Sequence, residues 1–178
     1  AAPLAGGGAG AAEADVGEEA GGGIGLSVGG LQLLPSAPSL RSVERLQLEV
    51  MLLGDGGEAL LRAPLSSRSL PLPHGRSSTE LAVGWTRHLV VAEGGELWRK
   101  LREALASADE DEPPHVAVAL VGIGSATGRR SLGSCSHSLR AQLLRGVDAV
   151  GSPLAVVDPR GVPLATLWLS AAANASLA

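Results

Sequence analysis

HVAVALVGIGSATGRRSLGSCSHSL, residues 115–139, decides how this chain is read. An apolar run ends in glycines, and two arginines follow. That order raises the question of a phosphate-binding loop. The pattern G-x-x-x-x-G-K-[ST] fails here. With Gly128 as its second glycine, Ile123 stands at the first, Arg129 at the lysine and Arg130 at the hydroxyl position. The dinucleotide pattern G-x-G-x-x-G accepts Gly122 and Gly124 but meets Thr127 at its third glycine. Either loop must also open a helix, because the helix N-terminus holds the phosphate. SATGRRSLGS has no helical periodicity. The stretch therefore reads as a buried strand at 115–124, a long strand-to-strand loop carrying both arginines, and a further strand at 132–139.

The flanking sequence repeats the strand pattern. Ile24, Leu26 and Val28 alternate in a first strand weakened by glycines, and Val43, Leu46, Leu48, Val50 and Leu52 mark a second over 42–53. GDGG, residues 54–57, is a hairpin-type turn, and EALLRAPL, 58–65, is a third strand at an edge because of Pro64. A short strand at 70–72 is possible within a loop. In 78–92, Leu81, Val83 and Trp85 alternate, with a bulge near Thr86 before Leu89 and Val91. SPLAVVD, 152–158, and VPLATLWLSAA, 162–172, are the last two strands. One segment breaks the period. In GELWRKLREALASA, 95–108, Leu97, Leu101, Ala104 and Leu105 form one apolar helical face, with Glu96 placed to pair with Lys100. RAQLLRG, 140–146, makes a short second helix. Strands that do not alternate with long helices argue for an antiparallel sandwich.

Composition narrows the function. The chain has 25 glycines, three tryptophans, no tyrosine and no phenylalanine, so its core rests on leucine, valine and alanine. Net charge is −4, and Glu13, Asp15, Glu18 and Glu19 account for it. The remainder is formally neutral and offers no basic footprint for nucleic acid. Residues 1–22 form a low-complexity Gly/Ala/acidic tail, expected to be disordered or partner-bound, and 23–178 form the domain. A single cysteine, Cys135, excludes a disulfide framework and points to a reducing compartment. No segment reaches transmembrane length, and the N-terminus lacks the features of a signal peptide.

The candidate sites are few. Ser134, Cys135, Ser136 and His137 look reactive, and Cys135 and His137 would share one strand face. No third orienting group or nucleophile elbow accompanies them, so a buried thiol beside a half-exposed histidine is expected. His74, His88, His115 and His137 have no zinc spacing. Trp85 and Trp168 read as core, and Trp98 as the edge of the helix's apolar face and a possible partner contact. Asp109, Glu110, Asp111 and Glu112 form a solvated loop that a basic partner could use. Arg129 and Arg130 could touch an acidic partner. No catalytic, cofactor or metal residue is assigned.

From HVAVALVGIG through LGSCSHSLRAQLLRG, PLAVVD and RGVPLATLWLSAA, the order of elements resembles the end of a C2 domain. The resemblance covers residues 23–178 and implies an eight-stranded, mostly-β antiparallel sandwich with one helix and one short helix. LWRKLREAL and WLSAAANASL resemble, more narrowly, the C-terminal C2-like domain of the retinitis pigmentosa GTPase regulator-interacting protein family. Calcium-binding C2 domains carry paired aspartates in their loops, including a D-x-D in the penultimate loop. GIGSATGRRSLG holds no acid, and Asp55 alone is too few for an ion wanting six to eight oxygens. The resemblance therefore implies a calcium-independent, non-enzymatic interaction or scaffold domain with protein partners in the cytoplasm, at a cilium or cytoskeleton. The alternative is a calcium-independent lipid-binding module using Arg129 and Arg130. Strand addition at an exposed edge would be the mechanism, with Leu61–Leu65 and the first strand as candidate edges.

Overall fold

The computed structural model describes residues 22–34, 40–72, 80–106 and 113–173. The tail other than Gly22, His74 and the acidic run Asp109–Glu112 lie outside the described residues. The elements are β1 (Gly23–Leu33), β2 (Arg45–Leu53), a 3-10 turn (Asp55–Gly57), β3 (Leu65–Ser66), β4 (Leu70–Pro71), β5 (Glu80–Val90), α1 (Glu96–Leu105), β6 (His115–Gly124), β7 (Gly128–Ser138), α2 (Arg140–Arg145), β8 (Ala149–Val157) and β9 (Pro163–Ala173). The strands follow the path β3–β2–β6–β7–β8–β9–β1–β5, with β4 also on β2.

Long ladders join neighbours everywhere on this path except at its two-residue β3 end and at its middle. There β7 meets β8 through one pair, Ser134 opposite Val157. The path therefore folds at that corner into two layers, β3/β4–β2–β6–β7 and β8–β9–β1–β5. Alternation sends one row of each strand into a shared core. Leu46, Leu48, Val50 and Leu52 of β2 and Val116, Val118 and Leu120 of β6 meet Leu26, Val28, Leu167 and Leu169 of the other layer in one buried cluster. α1 adds Leu101 and Ala104, both fully buried, while Leu97, Trp98 and Leu105 pack half-buried against the core. Glu96 and Lys100 are 3.1 Å apart one turn along its outer face. α2 sinks Leu143 inward and stops at Gly146, whose φ of 68° closes the last turn.

The glycines of VGIG have a packing role. A Cβ on Gly122 would lie 2.9 Å from Leu132 and Val43 side-chain atoms, and one on Gly124 would lie 2.5 Å from the Ser42 carbonyl. Close approach between segments, not an anion, explains them.

Four expectations need correction. The turn after Gly124 is only Ser125–Thr127, and Arg129 and Arg130 already belong to β7. EALLRAPL is not a strand: Ala59 makes an isolated bridge to Leu53 and pairing resumes only at Leu65. Its place beside β2 is taken partly by a side chain, because Ser67 Oγ accepts the Leu48 N–H at 2.9 Å while Ser67 N–H donates to the Leu48 carbonyl at 2.9 Å. The irregularity in β5 falls earlier than Thr86, where Ala82 to Trp85 span Gly30 to Val28 of β1 and Gly84 takes a φ of 57°. Trp168 is not core: it alternates with buried Leu167 and Leu169 and stands half-exposed on the outer face, between Gly30 and Pro153.

Both described ends of the chain leave from one end of the second layer, where Ala173 lies opposite Ile24.

Gly133 governs the corner. A Cβ there would sit 2.5 Å from the Val157 carbonyl and 2.9 Å from Leu164 Cδ1. Gly133→Ala is expected to cost roughly 2–3 kcal/mol or more by overpacking. Gly25→Ala, where a Cβ meets nothing within 4 Å, should be neutral or stabilise by about 0.5 kcal/mol through unfolded-chain entropy. Urea denaturation of both variants checks the contrast; equal losses would show that the corner is not closely packed.

Candidate interaction surfaces

The sequence places Arg129 and Arg130 next to each other, and the strand sends them to opposite faces. Arg129 lies opposite Ile123, and Arg130 opposite Gly122. On the outer face, the Arg129 guanidinium donates to Gln47 Oε1 and to the Glu49 carboxylate, two strands away. Val121 lies between them on that face and is buried although it is no part of the main core. Arg129 therefore ties β7 to β2 across β6, and its charge is already met. Arg130 reaches the other way, to Ser42 Oγ at 3.4 Å. Nearby, Arg45 donates to Ser69 Oγ at 2.7 Å and its carbonyl at 3.1 Å.

The turns at this end spend their polar groups on themselves. Ser125 donates from its hydroxyl at 2.6 Å and its backbone N–H at 3.3 Å to Glu44 Oε2. In the β8–β9 turn, Asp158 is 9% exposed. Its Oδ1 accepts the backbone N–H of Val162 at 2.8 Å and of Arg160 at 2.9 Å, and its Oδ2 accepts Arg160 Nη2 at 3.3 Å. The bond from Val162, foremost, holds its carboxyl below the usual carboxylate range; burial opposes that shift, and the Arg160 backbone bond and side chain add to it. Both oxygens are thus occupied by the turn. Among the described residues no group of three or more His, Cys, Asp or Glu side chains is placed to hold a metal ion.

Cys135 and His137 do share a face, opposite Val118 and Val116, whose side chains are buried in the core. Burial pushes the Cys135 thiol up to about 11. A thiol held protonated is a poor nucleophile. Trp98 is half-buried, with the Arg102 guanidinium 4.9 Å from its ring centroid. It shares no surface with Arg129 and Arg130 through any strand pairing.

Sequence reasoning missed the exposed aliphatic set on the second layer. Leu144, Val147 and Val150 lie between α2 and the start of β8, and Val150 is 82% exposed. A bulge aims it outward: Ser152 pairs Leu169, Ala149 pairs Ala171, and Gly151 turns with a φ of 56° while its N–H donates to Ser170 Oγ at 2.9 Å. The dipeptide Val150-Gly151 was the available signal.

Comparison with known proteins places this architecture. No family model matches the sequence, and no curated protein matches it. Solved structures do match. CC2D1B, described as coordinating ESCRT-III activity during the mitotic reformation of the nuclear envelope, aligns with a TM-score of 0.61 at 8% identity, over 88% of this chain and 57% of that one. The chain thus spans little more than half of that structure. The C2A domain of plant Extended Synaptotagmin 1 aligns with a TM-score of 0.55 at 6% identity, over 87% of this chain and 95% of that one. A C2 domain-containing protein from a putative elicitor-responsive gene gives 0.50 at 10% identity, over 84% and 86%. The fold is that of a C2 domain. At these identities the likeness is one of fold, and it is to C2 domains broadly. Among the described residues no helix is long and apolar enough to cross a membrane.

Two outcomes follow. The Asp158 carboxyl is depressed in the folded chain, so its contribution is complete above the unfolded value, about 3.9, and fades as pH falls through the lower folded value. Asp158→Asn should therefore flatten the loss of urea midpoint between pH 6 and pH 2.5; parallel curves would mean the turn does not depend on the charge. Cys135 in the native chain should react with a disulfide reagent at pH 8 at least about a hundredfold more slowly than in the unfolded chain. Comparable rates would mean the thiol is not held protonated by burial.

Proposed function

We propose that this chain is a calcium-independent C2-like domain that binds other proteins as a scaffold in a ciliary or cytoskeletal assembly, and that it is not an enzyme. The observation that carries the calcium independence is Asp158. Its two oxygens serve Val162, Arg160 and the turn itself, and the β6–β7 turn offers Ser125, Ala126 and Thr127. Calcium needs six to eight oxygens at one place. The ciliary setting rests on the resemblance of LWRKLREAL and WLSAAANASL alone. Protein binding rather than lipid binding is supported by Arg129, one of the two basic residues a lipid-binding reading would use, being paired with Glu49. The β6–β7 turn also carries no bulky apolar side chain to enter a bilayer. Trp98, Arg129, Arg130 and the acids Asp109 to Glu112 remain the proposed partner contacts, Arg129 at the cost of its present pairing.

The test is crosslinking mass spectrometry with the full chain as bait in extract from ciliated cells, with calcium or with a chelator. Reproducible crosslinks to ciliary or cytoskeletal proteins, equal in both conditions, support the reading. Capture only with membrane fractions and sedimentation with anionic vesicles would replace it with the lipid-binding module. Crosslinks that need calcium would overturn the calcium independence.

A further inference from the structure

The outer face of the first layer carries a hydroxyl beside a cation. Ser131 follows Arg129 and Arg130 directly, and no other serine or threonine in the chain has two arginines immediately before it. It is exposed and lies opposite Val121, so it shares the outer row of β7 with Arg129, two residues back. Among the described residues its hydroxyl is tied to no hydrogen-bond partner. The face around it is open, with Ala117 and Ala119 on β6 and Ser134 and Ser136 on β7.

We propose that Ser131 is a phosphorylation site for a serine kinase that reads arginines on the N-terminal side of its target. The kinase transfers the γ-phosphoryl group of MgATP to Ser131 Oγ. The Oγ–P bond forms, the bond from that phosphorus to the β–γ bridging oxygen breaks, ADP leaves, and the hydroxyl proton passes to a carboxylate of the kinase. Guanidinium groups meeting kinase carboxylates supply the recognition. The target is already extended. From Gly128 to Leu132 it pairs with β6, and the one described pair to β8 comes later, at Ser134. Leu132 is buried, 4% exposed, so modification waits on local opening of this hairpin end beside the turn Ser125–Thr127.

The same geometry sets what the phosphate does. It brings about −1.5 to −2 charges at pH 7 to the row in which Arg129 stands. Arg129 now reaches across buried Val121 to Gln47 and Glu49 on β2. A phosphate dianion on its own strand, one outer position away, competes for that guanidinium with a single carboxylate two strands off. Arg129 turns to the phosphate, and the tie from β7 to β2 is released. Arg129 is thereby withdrawn from the partner contact proposed above, a consequence that rests on that reading; the site and the exchange of partners do not.

The test treats the full chain with an arginine-directed serine kinase and MgATP and locates phosphate by mass spectrometry. One phosphate on Ser131 is expected. Ser131→Ala should remove it, and Arg130→Gln should slow its incorporation about tenfold, the loss of one charge-assisted contact. A double-mutant cycle in urea with Arg129→Gln and Glu49→Gln then reads the exchange. Coupling should be present in the untreated chain and absent from the phosphorylated one. A native chain that takes no phosphate, takes it on other residues, or takes it as fast without Arg130 overturns the site. Coupling that is missing before treatment, or that the phosphate leaves unmoved, overturns the exchange.

Discussion

The structure depends on how closely two backbones approach at one corner. Gly133 lets the chain of β7 lie against the carbonyl of Val157 with no Cβ between. Among the described residues the only ladder pair between the two layers is its neighbour, Ser134 with Val157. Everything that makes a sandwich from a long curled sheet follows from that contact. The inward rows of β2 and β6 meet those of β9 and β1 in one buried cluster. The core is mostly leucine and valine, with Trp85 its one large buried ring among the described residues, so close backbone approach matters to how the layers pack. Close packing then supplies stability that small side chains cannot supply by area alone.

Much of this fold was legible because strand alternation is a short-range signal. The rows Leu46–Leu52 and Val116–Leu120 give it without ambiguity, and the helical face of Leu97, Leu101 and Ala104 is equally clear. The failures have a common physical cause. Periodicity reports that a residue alternates, and not which neighbour lies across. Trp168 alternates with leucines, yet it belongs to the outer row. Ser67 replaces a strand by a hydroxyl, which no hydrophobic pattern encodes. The first strand, expected as an open edge, is central, between β9 and β5. Among the described residues the outer strand of that layer is β5.

The surface residues were harder still to place. The sequence places Arg129 and Arg130 in a strand-to-strand loop, open to an acidic partner. A two-residue repeat separates them, and Glu49, eighty positions earlier in sequence, takes the first. Long-range charge pairing of this sort needs the register of three strands before it can be seen. The question raised by VGIG has a comparable answer. Glycines before a turn look like a ligand cradle, but at Gly122 and Gly124 the space is already filled by Val43, Leu132 and Ser42.

The position of the two described ends has a mechanical consequence. β1 and β9 are adjacent and antiparallel, and they leave the domain at the same end, Ile24 beside Ala173. Tension applied through both ends would load the ladder as a zipper is loaded, one hydrogen-bonded pair after another. It would not load the whole ladder in shear. A domain anchored by both ends would then yield at low force by peeling β1 from β9 and opening the second layer.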